Sequence, residues 1–333
     1  MIFCTSVCTN HLALAKVLAQ SIKKHMPKSK IIVCLIEKDF PDWQGDYSIF
    51  DEIVLAKDMG FANYEQIIFK YSQYETAGAS KGQLFQYVFK NYPIENHVVY
   101  LDADTQVFGP FTEVEEALRS HSIVLTPHLL DPTHDHSYLF GEFALLNSGI
   151  YNTGFIALKR SRESQDLLDW LCTRLEHHCF HDPVRGLFNE QKWFDLVPVF
   201  FDHVLTLKHP GYNVAYWNVF ERNFTRSSSC YMVNGTSFRL FHFSGLDYIK
   251  DTLYLLNNET TVHGMRIIDE YKRLINENGH QELVNKNWSY HCFDNGQWIT
   301  DKIRTIYRNN PLAQSELVNP FSENRRIFKN YQK

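Results

Sequence analysis

The sequence has little of the glycine that phosphate-binding loops require. It contains 15 glycines in 333 residues, and none of them precedes Gly45. The turn after the first predicted strand therefore cannot be a Gly-x-Gly-x-x-Gly dinucleotide loop, nor the glycine-rich loop with which nucleotidyltransferases grip a nucleoside triphosphate. No Gly-Lys-Ser or Gly-Lys-Thr occurs either, which excludes a P-loop. We expect any phosphate-bearing ligand to be held mainly by a metal ion and by side chains.

Excess positive charge and long apolar runs are also lacking. Lys and Arg number 33 against 38 Asp and Glu, for a net charge of -5, so we expect no nucleic-acid partner, which would need clustered basic residues. No apolar run approaches the roughly 20 residues of a membrane span, and the first residues lack the charged segment of a secretion signal. The seven cysteines are odd in number and scattered, which favours reduced thiols. We therefore expect a cytoplasmic protein without a transmembrane segment.

Hydrophobic patterning indicates an α/β fold. Hydrophobic residues make up 44% of the chain and aromatic residues 15%, which excludes a disordered protein. Apolar strands and amphipathic helices alternate in the first half, a pattern that predicts a mixed, mainly parallel central sheet flanked by helices. The predicted strands are 2–7, 31–36, 53–55, 98–101, 154–158 and 238–243. The predicted helices are 12–25, one that contains 84–90, 161–178 with Ser161 as N-cap, and 189–196, while 126–138 reads as a loop.

The last part of the chain has a different character. Residues 250–333 are mostly polar and helical in pattern and contain no new glycine-rich or repeated element. We find no clean linker and no internal repeat. The prediction is one α/β domain, residues 1–250, with a mainly helical C-terminal extension, residues 251–333, packed on it.

An Asp-x-Asp site ends one of the predicted strands. Apolar residues 97–101 run directly into Asp102, Ala103 and Asp104. Because a buried strand cannot keep unpaired carboxylates, we expect this pair at the edge of the sheet, positioned to hold a hard divalent cation. Ligands of open α/β sheets bind at the same edge, and a nucleoside diphosphate suits a cation held by two carboxylates. The alternative is a polar turn, since Asp is common in turns.

Longer segments resemble bacterial GT-A glycosyltransferases. The run from Glu75 to Gly82, followed by residues 98–104, is similar to the Glu-x-x-x-Ala-x-Lys plus Tyr-Leu-Asp-x-Asp pattern of that family. Further similar segments follow in the same order, at 151–158, 189–198, 209–218, 241–245 and 293–296. The resemblance covers nearly the whole chain and extends, more distantly, to the glycogenin and lipopolysaccharide galactosyltransferase family of retaining enzymes. It implies that residues 1–250 form a GT-A (Rossmann-like) catalytic domain that binds a nucleotide sugar.

The resemblance also implies a metal site and a donor site. In such enzymes the two aspartates bind Mn²⁺ or Mg²⁺ together with the donor diphosphate, and a late histidine, here His242, completes the metal shell. Oxygen and imidazole ligands together suit Mn²⁺, although a histidine in an apolar strand is otherwise more often a core residue. The family often has a lysine where Tyr248 stands, so Lys250 is a displaced substitute. The other donor-binding candidates are Thr5, Ser6, Val7, Lys81, Asp102, Ala103, Asp104 and Gly245.

Three further residues are candidates for catalysis: Asn152, Glu190 and Gln191. The family's Asp-Gln pair corresponds to Glu190–Gln191 here. An inverting enzyme needs a carboxylate base, for which Glu142, Glu190 and Asp247 are candidates. A retaining enzyme can use the leaving phosphate instead, with Gln191 and Asn152 lining the sugar, and the resemblance favours retention.

Acceptor contacts are less specified by the sequence. Tyr212, Tyr216 and Trp217 can stack on a sugar face, although we expect at least two of them to fill the core. The basic ending, residues 325–331, can touch the inner face of an anionic membrane, where lipid-linked acceptors reside; a frayed polar tail is the alternative that we favour.

The resemblance implies a metal-dependent hexosyltransferase that moves a sugar from a nucleotide-diphosphate donor, with a UDP-sugar favoured, to a hydroxyl group. The acceptor would be a carbohydrate, a lipid-linked molecule or a protein, in bacterial polysaccharide or glycoconjugate synthesis. Two alternatives stay open. One is a sugar-1-phosphate nucleotidyltransferase, which the missing glycine loop disfavours. The other is a non-catalytic carbohydrate-binding protein on the same fold.

Overall fold

The computed structural model describes residues 1–42, 45–133, 139–227, 230–246, 250–253 and 259–331, with backbone only at 139, 140 and 259. The strands are β1 (Ile2–Val7), β2 (Lys30–Leu35), β3 (Glu52–Leu55), β4 (His97–Leu101), β5 (Thr105–Val107), β6 (Ile123–Pro127), β7 (Tyr151–Lys159), β8 (His181–Asp182), β9 (Leu187–Phe188), β10 (Val204–Thr206), β11 (Phe224–Arg226), β12 (Tyr231–Val233), β13 (Thr236–Ser237) and β14 (Leu240–His242). The α-helices are α1 (Leu12–His25), α2 (Tyr64–Lys70), α3 (Gln73–Asn91), α4 (Thr112–Ser120), α5 (Leu139–Ser148), α6 (Arg162–His178), α7 (Val197–Phe200), α8 (Glu259–Glu277), α9 (His280–Leu283), α10 (Asp301–Asn309) and α11 (Pro311–Glu316).

Seven strands form a mixed, mainly parallel central sheet in the order β10-β6-β7-β4-β1-β2-β3. Strand β7 runs antiparallel to its neighbours β4 and β6, and the other neighbouring pairs are parallel. Side chains alternate between the two faces. Ile2 and Cys4 of β1 pack on one face of the sheet, in a core that also contains residues of α3 and α6. Phe3 and Val7 pack on the opposite face, in a core that also contains residues of α1 and α4. The predicted α/β architecture is confirmed.

Most predicted elements lie where the pattern placed them, with shifted ends. Helix α1 has the predicted bounds, and Ser161 caps α6 by accepting a hydrogen bond from Ser164 N. Helix α3 begins well before residue 84, because Ser72 and Glu75 form a capping box at its start. The segment 189–196 is a 3₁₀ helix over Gln191–Leu196.

The predicted loop over 126–138 is wrong at its start. Thr126 and Pro127 belong to β6, where Pro127 pairs with Tyr151 of β7. Residues 134–138 lie outside the described residues, and α5 follows them. Helix α4 was not predicted.

The C-terminal residues complete the core of the sheet. Helix α8 packs against α1 and β11, while Trp288, Phe321 and Phe328 are buried among residues of β1, β2 and α3. The ring of Phe328 stacks on that of Phe69 with 5.5 Å between centroids. The frayed tail that we expected is therefore wrong for the described residues up to Tyr331. None of the described helices combines the length and apolar character needed to span a membrane.

A buried carboxylate joins the C-terminal segment to the end of β1. Glu37, which is 3% exposed, accepts a hydrogen bond from the backbone N–H of Thr9 and another from that of Ser289, each at 2.9 Å. Thr9 lies two residues after β1, on the turn that leads to the cavity described below. Residues far apart in the sequence thus stabilise the same edge of the sheet.

Candidate active site

Asp102 and Asp104 lie at the carboxyl end of β4, where the chain leaves the central sheet. The Asp102 N–H donates to Gly154 O of β7 at 3.0 Å, which fixes the backbone of the first aspartate. Strand β5 follows at once and pairs antiparallel with β14, setting Thr105 opposite His242. This pairing brings a histidine from a distant part of the sequence to the Asp pair.

The three side chains form a candidate metal centre. One ligand atom each from Asp102, Asp104 and His242 lies within 4.8 Å of the other two. His242 Nε2 is 3.1 Å from Asp104 Oδ1 and 3.9 Å from Asp102 Oδ2. Burial disfavours both the protonated His242 ring and the ionised Asp104 carboxylate, but the attraction between the groups outweighs it. Asp104 and Asp102 raise the pKa of His242, and His242 lowers the pKa of Asp104. Two carboxylates and an imidazole fit a divalent cation such as Mn²⁺.

A chain of buried hydrogen bonds determines which nitrogen of His242 faces the aspartates. The Gly154 N–H donates to Asn152 Oδ1 at 3.1 Å, so this oxygen is an acceptor, and Asn213 Nδ2 donates to it at 3.0 Å. The Asn213 Oδ1 atom therefore faces His242 Nδ1, 3.2 Å away, and that nitrogen must carry a proton. In the neutral ring, the lone pair lies on Nε2 and is available to a metal.

The same network extends to His128. Asn152 Nδ2 lies 3.3 Å from His128 Nε2, and His128 Nδ1 lies 3.1 Å from Ile150 O. Burial lowers the pKa of His128 to about 4, so the ring is neutral near pH 7 and each nitrogen has a single role. Neither His128 nor Asn213 was predicted from the sequence to have this role.

Lys81, on α3, is buried between two carboxylates. Its Nζ lies 2.7 Å from Glu190 Oε1 and 3.1 Å from Asp102 Oδ1, and it donates to Thr153 O at 2.9 Å. Burial alone would lower the pKa of Lys81, but the two carboxylates raise it. All three ammonium protons have protein oxygens as partners. In this arrangement Lys81 orients one oxygen of Asp102, and a phosphate would have to replace one of its partners.

The three predicted catalytic side chains lie together beside the Asp pair. Glu190 Oε1 also accepts a hydrogen bond from Thr153 Oγ1 at 2.7 Å. Its burial raises the pKa of Glu190, but Lys81 outweighs that effect and the pKa is lowered. Gln191 Nε2 donates to Ser148 O at 2.9 Å, while its Oε1 is 3.4 Å from Asn152 Nδ2. Their catalytic roles stay predictions.

Two glycines make room for these side chains. A Cβ on Gly78 would overlap the Glu190 carboxylate, and a Cβ on Gly154 would lie 2.5 Å from His242 Cε1. Neither glycine has a positive φ, so each is needed for close packing and not for an unusual backbone conformation. A glycine inside the apolar strand β7 was the available sequence signal for close approach.

A cavity of about 770 Å³ adjoins the candidate metal centre. The predicted site residues on its wall are Ser6, Val7, Lys81, Asp102, Ala103, Asp104, Asn152, Glu190, Gln191 and His242. Three predicted donor-binding residues are not among the described residues that line it. Thr5 is 1% exposed, Gly245 is exposed with a φ of +63°, and Lys250 Nζ lies 3.6 Å from Asp269 Oδ1.

The three aromatic residues that could stack on a sugar differ in how deeply they are buried. Tyr212 is 2% exposed, and its hydroxyl donates to Glu113 Oε2 at 3.0 Å. Tyr216 and Trp217 are partly exposed and line the cavity. Tyr216 also packs against the core that contains Tyr212, so Tyr212 alone of the three is fully buried there. The Trp217 ring packs edge-on against the ring of His242, with 5.2 Å between centroids.

Comparison with known proteins gives one sequence relative and several similar folds. No protein-family model matches the sequence. The chain is 25% identical over 200 residues to the uncharacterized protein YfnF of Bacillus subtilis, a match that covers 60% of this chain and 65% of that protein, or less than two thirds of its length.

A structural comparison matches this chain to solved glycosyltransferases, each at a TM-score below 0.5. The galactosyltransferase LgtC, in complex with donor and acceptor sugar analogs, has a TM-score of 0.49 at 12% identity and covers 83% of this chain and 96% of its own. Mouse xyloside xylosyltransferase 1 has a TM-score of 0.39 at 12% identity, over 74% and 97% of the two chains. The glycosyltransferase GlyE of Streptococcus pneumoniae has a TM-score of 0.40 at 12% identity, over 88% and 66%.

Proposed function

We propose that this protein is a metal-dependent glycosyltransferase that moves a sugar from a nucleotide-diphosphate donor, a UDP-sugar in our proposal, to a hydroxyl group of its acceptor. The observation that carries this proposal is the convergence of Asp102, Asp104 and His242 on the wall of a 770 Å³ cavity. That volume is in the range of small-molecule sites, roughly 300–1,000 Å³. The predicted amides Asn152 and Gln191 line the same cavity, where hydroxyl-rich ligands find donors and acceptors.

The proposed reaction explains why two carboxylates lie together at this site. A bound divalent cation would neutralise the negative charge that develops on the leaving diphosphate. The protein side chains prepare that site in two ways. Lys81 engages one oxygen of Asp102, which restricts how that carboxylate rotates, and Asn213 keeps the Nδ1 proton of His242 turned away from the aspartates.

Retention of the anomeric configuration is the stereochemistry that we propose. Among the described residues, the carboxylates that line the cavity are Asp102, Asp104 and Glu190. Two belong to the metal centre, and Glu190 is bound to Lys81, which makes it a poor base. The Glu142 carboxylate accepts a hydrogen bond from Thr133 N at 2.7 Å and does not line the described cavity, and Asp247 lies outside the described residues. This arrangement supports a reaction without a carboxylate base.

Thermal unfolding with and without ligands tests the binding step. UDP with Mn²⁺ is expected to raise the Tm of the wild type, and Asp102→Asn or Asp104→Asn to remove most of that shift. Asp166→Asn, at a carboxylate that is 59% exposed on α6, is the matched control and should keep the full shift. A wild type that no nucleoside diphosphate stabilises would contradict the proposal.

A panel of nucleotide sugars tests the reaction itself. We expect one donor to be hydrolysed slowly in the presence of Mn²⁺ and transferred faster when an acceptor is added. NMR of the first product formed should show the anomeric configuration of the donor; an inverted product would require a carboxylate base and contradict retention. Release of pyrophosphate from a nucleoside triphosphate would instead establish a nucleotidyltransferase.

A further inference from the structure

Tyr74 presents a free aromatic ring at the exposed end of one cavity wall. It belongs to the first turn of α3 and lines the cavity, yet it is 69% exposed. Among the described residues, none makes a hydrogen bond or a ring contact with it. Ala77, Gly78 and Lys81 line the cavity from the same face of α3, and Lys81 is only 2% exposed. This face of α3 therefore leads from a free ring to the buried lysine beside Asp102.

Asn189 borders the same part of the cavity and has an unpaired amide oxygen. It lines the cavity directly before Glu190, whose carboxylate packs against Gly78, one helical turn after Tyr74. Asn189 is 5% exposed, and its Oδ1 atom has no hydrogen-bond partner among the described residues. A buried amide without a partner is unfavourable. A hydroxyl group bound beside Asn189 would supply the missing hydrogen bond.

The backbone of Asn189 does not explain why this oxygen is unpaired. Asn189, Asn213 and Asn234 all have left-handed backbone conformations, with φ of +47°, +50° and +49°. Asn213 forms hydrogen bonds at both ends of its amide, as described for the candidate metal centre. Asn234 does so as well, because its Oδ1 accepts from Asn223 N and its Nδ2 donates to Glu221 O. Asn189 is thus the one of the three whose amide oxygen lacks a protein partner.

The elements that carry Tyr74 and His242 approach Asp102 from opposite faces of the central sheet. Helix α3 packs in the core on one face, whereas β5 and β14 pack in the core on the other. His242 belongs to β14, and Lys81 of α3 contacts Asp102. A diphosphate bound to a metal ion would therefore lie on the His242 side of Asp102. The side of Tyr74 and Asn189 is then open to a second molecule.

The proposed function, on which this inference rests, makes the acceptor that second molecule. We propose that Tyr74 and Asn189 form an acceptor site for a pyranose ring, which stacks on the Tyr74 ring and donates a hydroxyl hydrogen bond to Asn189 Oδ1. A pyranose combines an apolar ring face with hydroxyl groups, which matches a free aromatic ring beside an unpaired amide. A purely apolar acceptor would leave the Asn189 amide unpaired.

Acceptor kinetics test this site. The probes are the methyl glycosides of glucose, galactose and N-acetylglucosamine, each offered with Mn²⁺ and the donor that the nucleotide-sugar panel identifies. We expect transfer to at least one of them, and Tyr74→Ala and Asn189→Gly should each raise the KM for that glycoside roughly fivefold. Glycine removes the amide while it permits the left-handed backbone. Tyr74→Phe keeps the aromatic ring and should keep the KM of the wild type.

Two control variants and a binding measurement separate recognition from a structural effect. Asn234→Gly changes an asparagine with the same backbone conformation that does not line the described cavity. Phe40→Ala removes another aromatic ring, which is 56% exposed and also does not line it. Both variants should have the KM of the wild type. The Kd for UDP with Mn²⁺ should not change in Tyr74→Ala or Asn189→Gly, because neither residue contacts the nucleotide in this proposal.

Three results would overturn the inference. Wild type that hydrolyses its donor but transfers to none of the glycosides would exclude a pyranose site. Weaker binding of UDP by Tyr74→Ala would assign the ring to the nucleobase. A lower kcat with an unchanged KM in either variant would indicate a structural role. Wild type that binds no nucleoside diphosphate contradicts the proposed function, and this inference with it.

Discussion

Asn213 Oδ1 lies 3.2 Å from His242 Nδ1, on the side of the ring opposite the two aspartates. Since this contact fixes the tautomer that leaves Nε2 available, Asn213→Ala is expected to weaken Mn²⁺ binding roughly 10- to 100-fold. Isothermal titration with Mn²⁺ measures the change. Asn147→Ala, at an exposed asparagine of α5, is the control and should bind Mn²⁺ as tightly as the wild type. Unchanged affinity in Asn213→Ala would show that His242 is not oriented by this contact.

Gly154→Ala should disturb the candidate metal centre through overpacking. The new Cβ would lie 2.5 Å from His242 Cε1 and 2.8 Å from Asn152 Oδ1, so one of these buried side chains must move. Overpacking of this kind costs about 1–3 kcal/mol of unfolding free energy, and we expect Mn²⁺ affinity to fall as well. In Gly141→Ala the new Cβ meets no atom within 4 Å, so both quantities should stay near wild type. Urea unfolding and Mn²⁺ titration distinguish the two variants.

Lys81→Met should destabilise the protein strongly. The side chain of Lys81 is 3% exposed, and its removal leaves the Glu190 carboxylate, 9% exposed, without its cation. Breaking a buried ion pair in this way costs roughly 3–5 kcal/mol of unfolding free energy. Lys81→Met combined with Glu190→Gln should recover part of the loss, because no buried charge is then left at position 190. Lys30→Met, at a lysine that is 44% exposed, should cost less than about 1 kcal/mol; an equal loss there would refute the explanation by burial.

The acid sensitivity of the fold should depend on Glu113. Its carboxylate accepts hydrogen bonds from Nε of Arg239 at 3.0 Å and from Nη2 of the same side chain at 2.8 Å. Arg239 directly precedes β14. Although partial burial opposes ionisation, these bonds lower the pKa of Glu113 from 4.5 to about 2. A folded-state pKa below the unfolded value means that the ionised form stabilises the fold above pH 4.5 and that this contribution is lost between pH 4.5 and about 2.

Urea unfolding of Glu113→Gln at a series of pH values checks this dependence. The variant should be less stable than the wild type at pH 7, and the difference should stay level down to about pH 4.5 and then shrink. Glu116→Gln, at a carboxylate that is 69% exposed on the same helix, should show almost no difference at any of these pH values. If the difference in unfolding free energy between the wild type and Glu113→Gln grew as the pH fell, the lowered pKa of Glu113 would be contradicted.

The sequence predicted the elements whose signal is local. Strand β1 and helix α1 follow from alternating and helical apolar patterns, and the Asp pair follows from the polar end of β4. The resemblance added His242, which lies in an apolar strand and has no local signal of its own. These predictions depend on residues within one segment, or on an order of segments along the chain that resembles the order in the GT-A glycosyltransferases.

The remaining features depend on contacts between distant residues. The orientation of His242 requires Asn213, and Asn213 is oriented in turn by Asn152; nothing in the spacing of these residues along the chain reveals that their amides meet. Lys81 was predicted to contact a phosphate, whereas its burial between Asp102 and Glu190 became visible only once α3 and the 3₁₀ helix Gln191–Leu196 were placed together. Pairing of this kind is a property of the tertiary structure.

The burial of Phe328 against Phe69 has a consequence for how the protein is made. During synthesis the amino-terminal strands leave the ribosome long before the aromatic residues that cover them, and Glu37 has no Ser289 N–H to bind until residue 289 has been translated. The core that contains β1, β2 and α3 therefore stays incompletely buried until residues 288–328 have been synthesised. Ribosome-bound chains that end near residue 250 should accordingly be cleaved readily by proteases, and release of the full chain should make the same sites resistant.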